Sequence, residues 1–319
     1  MLKCIPGLSS FHDVGDPTEQ ENLMCAAIIL RQYEEMEEEM EETGTEPIPF
    51  LAESNVDAED AGEGDDSPRQ EQVNFLAITQ TIIQAMISSS SPLQRSPLAV
   101  AAYWIAIRQE VYYALTRKRA PCLTFTAQDW ESGTVANKMI MHAGEVTKWC
   151  WGDRNLSEYE RLRHQQQQLI TTYSSQLTPI LHKLADKSKG EIFPTVWYAT
   201  DAQVTGVQHL EMARMILIAE NPRLLEKGVP RSMHRKAESI VRNIVLTLCG
   251  IAVDVSKRMP ALVNAVVSIL LYGEYFTDLA ERNELLNITQ RMRNMRAWPL
   301  RKGVERLQRA WREADNVEF

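Results

Sequence analysis

One stretch limits the folds open to this chain more than any other: Ser96–Arg119, SPLAVAAYWIAIRQEVYYALTRKR. Leu98 to Ile107 is apolar without a break. A helix with no polar face over three turns must be covered on several sides. Ser96 is placed to cap it, and Pro97 falls in the first turn, where a missing N–H is harmless. The charges come late. Arg108 and Glu110 interrupt the run, and Arg117, Lys118 and Arg119 crowd the end, where cations suit the helix dipole. Pro121 then stops the helix. The pattern predicts a central buried helix near 97–116, with other helices packed around it.

The flanking sequence agrees. Residues 1–17 read as an irregular lead-in, rich in Gly and Pro. A helix is predicted from about Thr18 to Met40, with Leu23, Ala26, Ala27, Leu30 and Tyr33 on its apolar side. Its tail dissolves into EEMEEEMEE, and residues 41–68 read as an acidic, disordered insertion. Val73, Leu76, Ile83 and Ile87 resume helical spacing over 70–88. After a connection at 121–133, helices are predicted over 135–150 and 156–173. Gly152 is placed as the C′ residue of the first.

Residues 192–198 read as a short extended segment with no partner strand. Thr200 with Gln203 forms a capping box opening a helix to Glu220. Ser232 opens a long amphipathic helix with Ala237, Val241, Ile244, Leu248, Ala252 and Val255 on one stripe. Pro260 starts a second, nearly all-apolar helix. Two basic amphipathic helices cover 278–296 and 299–313. The expected fold is therefore all-α, an irregular array of about nine helices with no sheet and no repeat of fixed period. It forms a single helical domain over 18–319.

Charge and cysteine usage narrow the class. The formal net charge of −9 is uneven. Fifteen acids and no Lys or Arg lie between Gln32 and Pro68, and the other 28 acids face 34 Lys and Arg. Five cysteines are scattered, with no two within twenty residues, so neither a disulfide framework nor a zinc-ligand spacing can be drawn. Reduced, buried thiols are expected. The longest apolar run has ten residues, well short of the roughly 20 needed to span a bilayer. A soluble intracellular protein is the expectation.

No catalytic, cofactor-binding or metal-binding residue emerges. Serine-hydrolase, zincin, P-loop and dinucleotide-binding motifs are absent. His142 and Glu145 share a helix face at i and i+3, and a local hydrogen bond between them is the expectation. His209 and Glu211 do not face one another. Asp65-Asp66 lies in a Gly-rich acidic run and reads as solvated charge. Arg291, Arg293, Arg296, Arg301, Lys302, Arg306, Arg309 and Arg312 read as exposed faces of the terminal helices, with non-specific phosphate contact as the sharper alternative. Arg117-Lys118-Arg119 fits helix-end compensation or a nuclear-import signal. The acids of 34–66 read as a flexible insertion, or as an activation surface. Trp149, Trp151, Trp197 and Tyr198 are candidates to line an effector pocket, with core packing as the default.

Several stretches resemble a known family: AAYWIAIRQEVYYAL (101–115), NKMIMHAGEVTKWCWG (137–152), ADKSKGEIFPTVWYATDAQVTGVQHLEMARMILIAENP (185–222), LVNAVVSILLYGEYFTD (262–278) and RAWPLRKGVERLQRAW (296–311). They are similar to the ARCA-like C-terminal regulatory domain of fungal zinc-cluster transcription factors, over about residues 20–313. The resemblance implies an all-helical, non-enzymatic transcription regulator in the nucleus. It implies protein partners, namely related factors or the transcription machinery, and a possible small-molecule effector. Control of a metabolic or biosynthetic gene set is a further implication. The family's DNA-reading module needs six cysteines in a short basic segment. The five here cannot build it, so no sequence-specific DNA binding is expected of this chain alone. The alternative class is an all-helical enzyme or small-molecule carrier using an apolar pocket. No cofactor and no membrane are expected in the regulator reading.

Overall fold

The computed structural model describes residues 16, 18–19, 21–31, 96–254, 259–294 and 300–317. The helix predicted over 70–88 and the acidic insertion at 41–68 lie outside the described residues, as do Asp65, Asp66 and Arg296. The chain divides into two units, Met1–Tyr103 and Trp104–Phe319.

In the first unit, helix α1 covers residues 21–31. Met24, Ala27 and Ile28 are its buried apolar residues, while Ile29 is exposed. The buried stripe is thus rotated slightly from the one expected on Leu23, Ala26 and Leu30. Helix α2, Pro97–Arg117, begins in this unit and continues into the second. The Ser96 hydroxyl accepts from the Ala99 amide at 3.2 Å, as a cap should.

The second unit is built from helices. After α2 come α3 (Ala127–Ser132), α4 (Val135–Cys150), α5 (Leu156–Thr172) and the single turn α6 (Ser174–Leu177). Then follow α7 (Asp201–Ala219), α8 (Arg231–Asp254), α9 (Met259–Tyr272), α10 (Leu279–Asn294) and α11 (Arg301–Val317). The all-α expectation holds. Helix α7 is a meeting point, packing against α4, α5, α8 and α9. Its capping box is the predicted one, with Thr200 Oγ1 accepting from the Gln203 amide and Gln203 Oε1 accepting from the Thr200 amide. Helix α9 is buried at every residue from Ala261 to Tyr272, as its unbroken apolar run requires.

Four expectations are corrected. First, α2 is enclosed only in its later turns, where Ala106, Ile107, Val111, Ala114 and Leu115 are buried, whereas Leu98, Ala101 and Ile105 form an exposed stripe. Ala99, Ala102, Tyr103 and Ala106 make the inward face, and Leu98, Val100 and Ile105 lie off it.

Second, the extended segment has a partner. Thr195–Trp197 (β2) pairs antiparallel with Leu181–Lys183 (β1), in the register Leu181 opposite Trp197. Polar Lys183–Glu191 masked the first strand. Val196, buried with Val204, Val207, Ile251 and Ala261, fixes which face of the ribbon turns inward.

Third, the connection at 121–133 holds helix α3, opened by a capping box in which Asp129 replaces the usual Glu or Gln. Fourth, Gly152 follows the cap residue Trp151 as the expected C′ residue, but it is not left-handed. The residue in that conformation after α4 is Arg154, at φ 49°.

Candidate functional site

A groove of about 820 Å³ lies in the second unit, and sequence pattern explains each of its walls. One wall is α5. Tyr159, Arg163, Gln166 and Ile170 recur at four, three and four residues along it, the spacing of one helix face. The other wall is the first half of α8, where Met233, Ala237 and Ile240 are spaced four and three apart and Lys236 lies beside them. Leu217 and Ile218 of α7 form the floor, and the 3₁₀ turn Pro222–Leu225 closes one end through Arg223 and Leu224. The α8 wall stays open because its core-facing stripe begins only at Val241. From there Val241, Ile244, Val245 and Leu248 are buried, while Met233 is 49% exposed.

The rim is basic. Arg163, Arg214, Arg223 and Lys236 line the groove, and Glu160 is its one lining carboxylate. Glu160 accepts from Arg223 at 2.7 Å and lies 3.7 Å from Arg163, so one acid is shared by two guanidinium groups. Arg214 reaches instead to Glu211 on its own helix at 2.9 Å. Burial raises the Glu211 carboxyl above its ordinary range, and Arg214 opposes that rise. The groove therefore combines an apolar bed with excess positive charge, a combination suited to amphipathic anions.

The two singled-out histidines do other work. His142 does not bond Glu145. Its Nε2 lies 2.7 Å from Gln166 Oε1, and Gln166 Nε2 donates in turn to the Leu210 carbonyl. The His142 Nδ1 lies 2.9 Å from Gln165 Oε1. Glu145 pairs with Arg161 at 2.9 Å. Burial lowers the His142 pKa to about 4, against the two glutamine hydrogen bonds.

His209 is buried on α7. Its Nδ1 lies 2.7 Å from the Thr205 carbonyl, and its ring sits 5.5 Å from that of Tyr112. Burial again lowers its pKa to about 4. Beside it, Asn264 donates to Gln208, and Gln208 donates to the Ala261 carbonyl. This buried polar set fastens α2, α7 and α9 to one another. His209 and Glu211 do not meet, as expected.

The aromatic candidates do not converge. Trp149 packs on Tyr159 and donates to the Asn155 carbonyl, beside a smaller hollow of about 410 Å³. Tyr198 packs with the Val196 cluster, and Trp197 is half-exposed. Cys150 and Cys249 are buried, and burial pushes the Cys150 thiol up to about 12. Cys122, by contrast, is exposed.

The basic residues Arg291, Arg293, Lys302, Arg306, Arg309 and Arg312 lie on exposed faces, and Arg301 pairs with Glu305 at 3.0 Å. At the end of α2, Arg117 and Arg119 lie over the Tyr113 ring. Among the described residues no three His, Cys, Asp or Glu are grouped to hold a metal ion. Nor is any described helix long and apolar enough to cross a membrane.

No protein-family profile, curated relative or solved structure matches the chain.

Sequence reasoning singled out none of the groove residues. The usable signal was Met233, Ala237 and Ile240, spaced four and three apart. These three continue the core stripe toward the helix start along its edge, ahead of Val241, where burial begins.

Proposed function

We propose that this chain is a non-enzymatic transcription regulator that works by protein–protein contact in the nucleus. The observation that carries the reading is the groove. It is a site-sized concavity with an apolar bed and a charged rim, while the buried histidines lie outside it, His142 against Gln165 and Gln166 and His209 against the Thr205 carbonyl. Such a surface recognises a partner; it does not assemble an acid, a base and a nucleophile around one atom. The resemblance to fungal zinc-cluster regulatory domains points the same way.

The test is tethering. The full chain is fused to an unrelated DNA-binding module and placed at a reporter promoter. Reporter output should rise or fall by severalfold relative to the module alone, and a tagged chain should concentrate in nuclei. Unchanged output overturns the reading.

The competing reading, a small-molecule carrier, draws on the same groove. Its volume falls within the roughly 300–1,000 Å³ typical of ligand sites. A thermal shift produced by small apolar acids, with a silent reporter, would favour the carrier.

A further inference from the structure

Resting on the reading of the groove as a contact surface, we infer that its occupant is an acidic amphipathic helix of a partner protein. Three observations carry this. The walls are two helices. The lined part of α5, Tyr159 to Ile170, spans roughly 16 Å, and that of α8, Met233 to Ile240, spans roughly 10 Å. A trough two to three turns long between two helices, floored by a third, is the shape that seats a helix of similar length.

The bed is apolar where such a helix would press. Ile170, Leu217, Ile218, Met233 and Ile240 face the trough, and Met233, half in solvent, is an adaptable side chain for an incoming ridge.

The charge is complementary. Four cations against Glu160 in the lining and Glu211, which pairs with Arg214, still leave the rim positive, although the whole chain carries −9. Arg163 and Arg223 are more than half exposed, so their charge reaches solvent and can steer an acidic partner. The occupant is thus expected to carry Leu, Phe or Met at i, i+3 or i+4, and i+7, flanked by Asp and Glu.

The probe is a labelled 18-residue peptide with a Leu stripe at that spacing and Glu elsewhere, added to the full chain and followed by fluorescence anisotropy. Controls are a peptide of the same composition without the stripe, a Lys-for-Glu version, and single-stranded DNA of equal charge. Saturable binding of the striped acidic peptide is expected, weakening as salt is raised. Lys236→Glu and Met233→Asp, both at exposed positions, should each weaken it about tenfold or more. Unchanged far-UV circular dichroism and unfolding midpoints would show that the variants fold.

Equal binding of the scrambled peptide or the DNA would mean a general polyanion patch and overturn the inference. So would no binding at all, or binding untouched by both variants. These failures differ from failure of the regulator reading, since the tethered chain can still move the reporter when the peptide does not bind.

Discussion

Gly250 sits within the last two turns of α8, where propensity alone counts it as a weakness. The structure turns that around. A Cβ built there would lie 2.1 Å from the Pro194 carbonyl oxygen and 3.3 Å from Pro194 Cδ. The obstacle is backbone, so no side-chain rotation clears it; α8 and the segment ahead of β2 must part by about 1 Å. Overpacking of this kind costs about 1–3 kcal/mol. Parting also drags on Val196, two residues on and 2% exposed, which adds about 1 kcal/mol of lost burial. Against this, alanine in a helix interior gains about 1 kcal/mol over glycine. Gly250→Ala is therefore expected to destabilise by about 1–3 kcal/mol in urea unfolding followed by circular dichroism. Hydrogen exchange at the Ile180 amide, which donates to the Trp197 carbonyl at 2.8 Å, should accelerate as the ribbon loosens. Gly144→Ala is the control. Its nearest obstacle, Phe125 Cε2 at 3.3 Å, is a side chain, so stability should stay within about 1 kcal/mol of the parent. A Gly250→Ala protein as stable as the parent, or more so, refutes the reasoning.

Other expectations follow from the same contacts. His142 and His209 have folded pKa values near 4, below the ordinary 6.5, so each contributes stability that is present at neutral pH and lost as pH falls toward 4. Between pH 7 and pH 5 each should remove about 2 kcal/mol, and His142→Asn should flatten the measured slope by about half. Arg282 Nη1 donates to both carboxylate oxygens of Asp315 at 2.9 Å, its Nε donates to the Phe276 carbonyl, and the guanidinium lies over Trp311. Asp315→Ala, an exposed partner, should cost about 1 kcal/mol or less, whereas Arg282→Ala should cost about 2–4 kcal/mol in the same assay. Lys118 holds φ 52° at the end of α2, where its amide donates to the Leu115 carbonyl and the Arg119 amide to that of Ala114. Lys118→Gly should relieve that strain and stabilise by about 1 kcal/mol, read as a shift in urea midpoint.

The helical plan was legible because it is carried by local rules. Stripes at three and four, caps such as Thr200 with Gln203, and prolines at helix starts all act within a few residues. What escaped was set by distance. The strand at Leu181–Lys183 has an exposed, polar surface, and only its pairing with Thr195–Trp197 makes it a strand. The exposed stripe of α2 escaped because apolar composition says how much surface is sticky, not how much of it neighbours will cover. The groove escaped for a related reason. Its walls come from α5 and α8, some seventy residues apart in sequence, and each reads as an ordinary amphipathic helix on its own.

The buried charges show how helices with interchangeable apolar stripes are given one arrangement. Glu281, 3% exposed, takes Arg242 of α8 at 2.7 Å and Lys187 of the ribbon's loop at 3.2 Å. Arg282, its neighbour, holds the turn at Phe276 and the last helix at Asp315. Glu110 of α2 accepts from the Cys122 amide beyond the helix end. Glu281 and Arg282 thus join segments far apart in sequence, and Glu110 ties its helix to the connection that follows. Apolar stripes alone would let α8, α10 and α11 slide or turn against one another at little cost, because one leucine contact substitutes well for another. A buried carboxylate has no such substitute, since a slipped register leaves it desolvated and unpaired. The interior therefore gains its order at these few ionic joints. The groove can stay open beside them, because its walls are held from behind and need no cover in front.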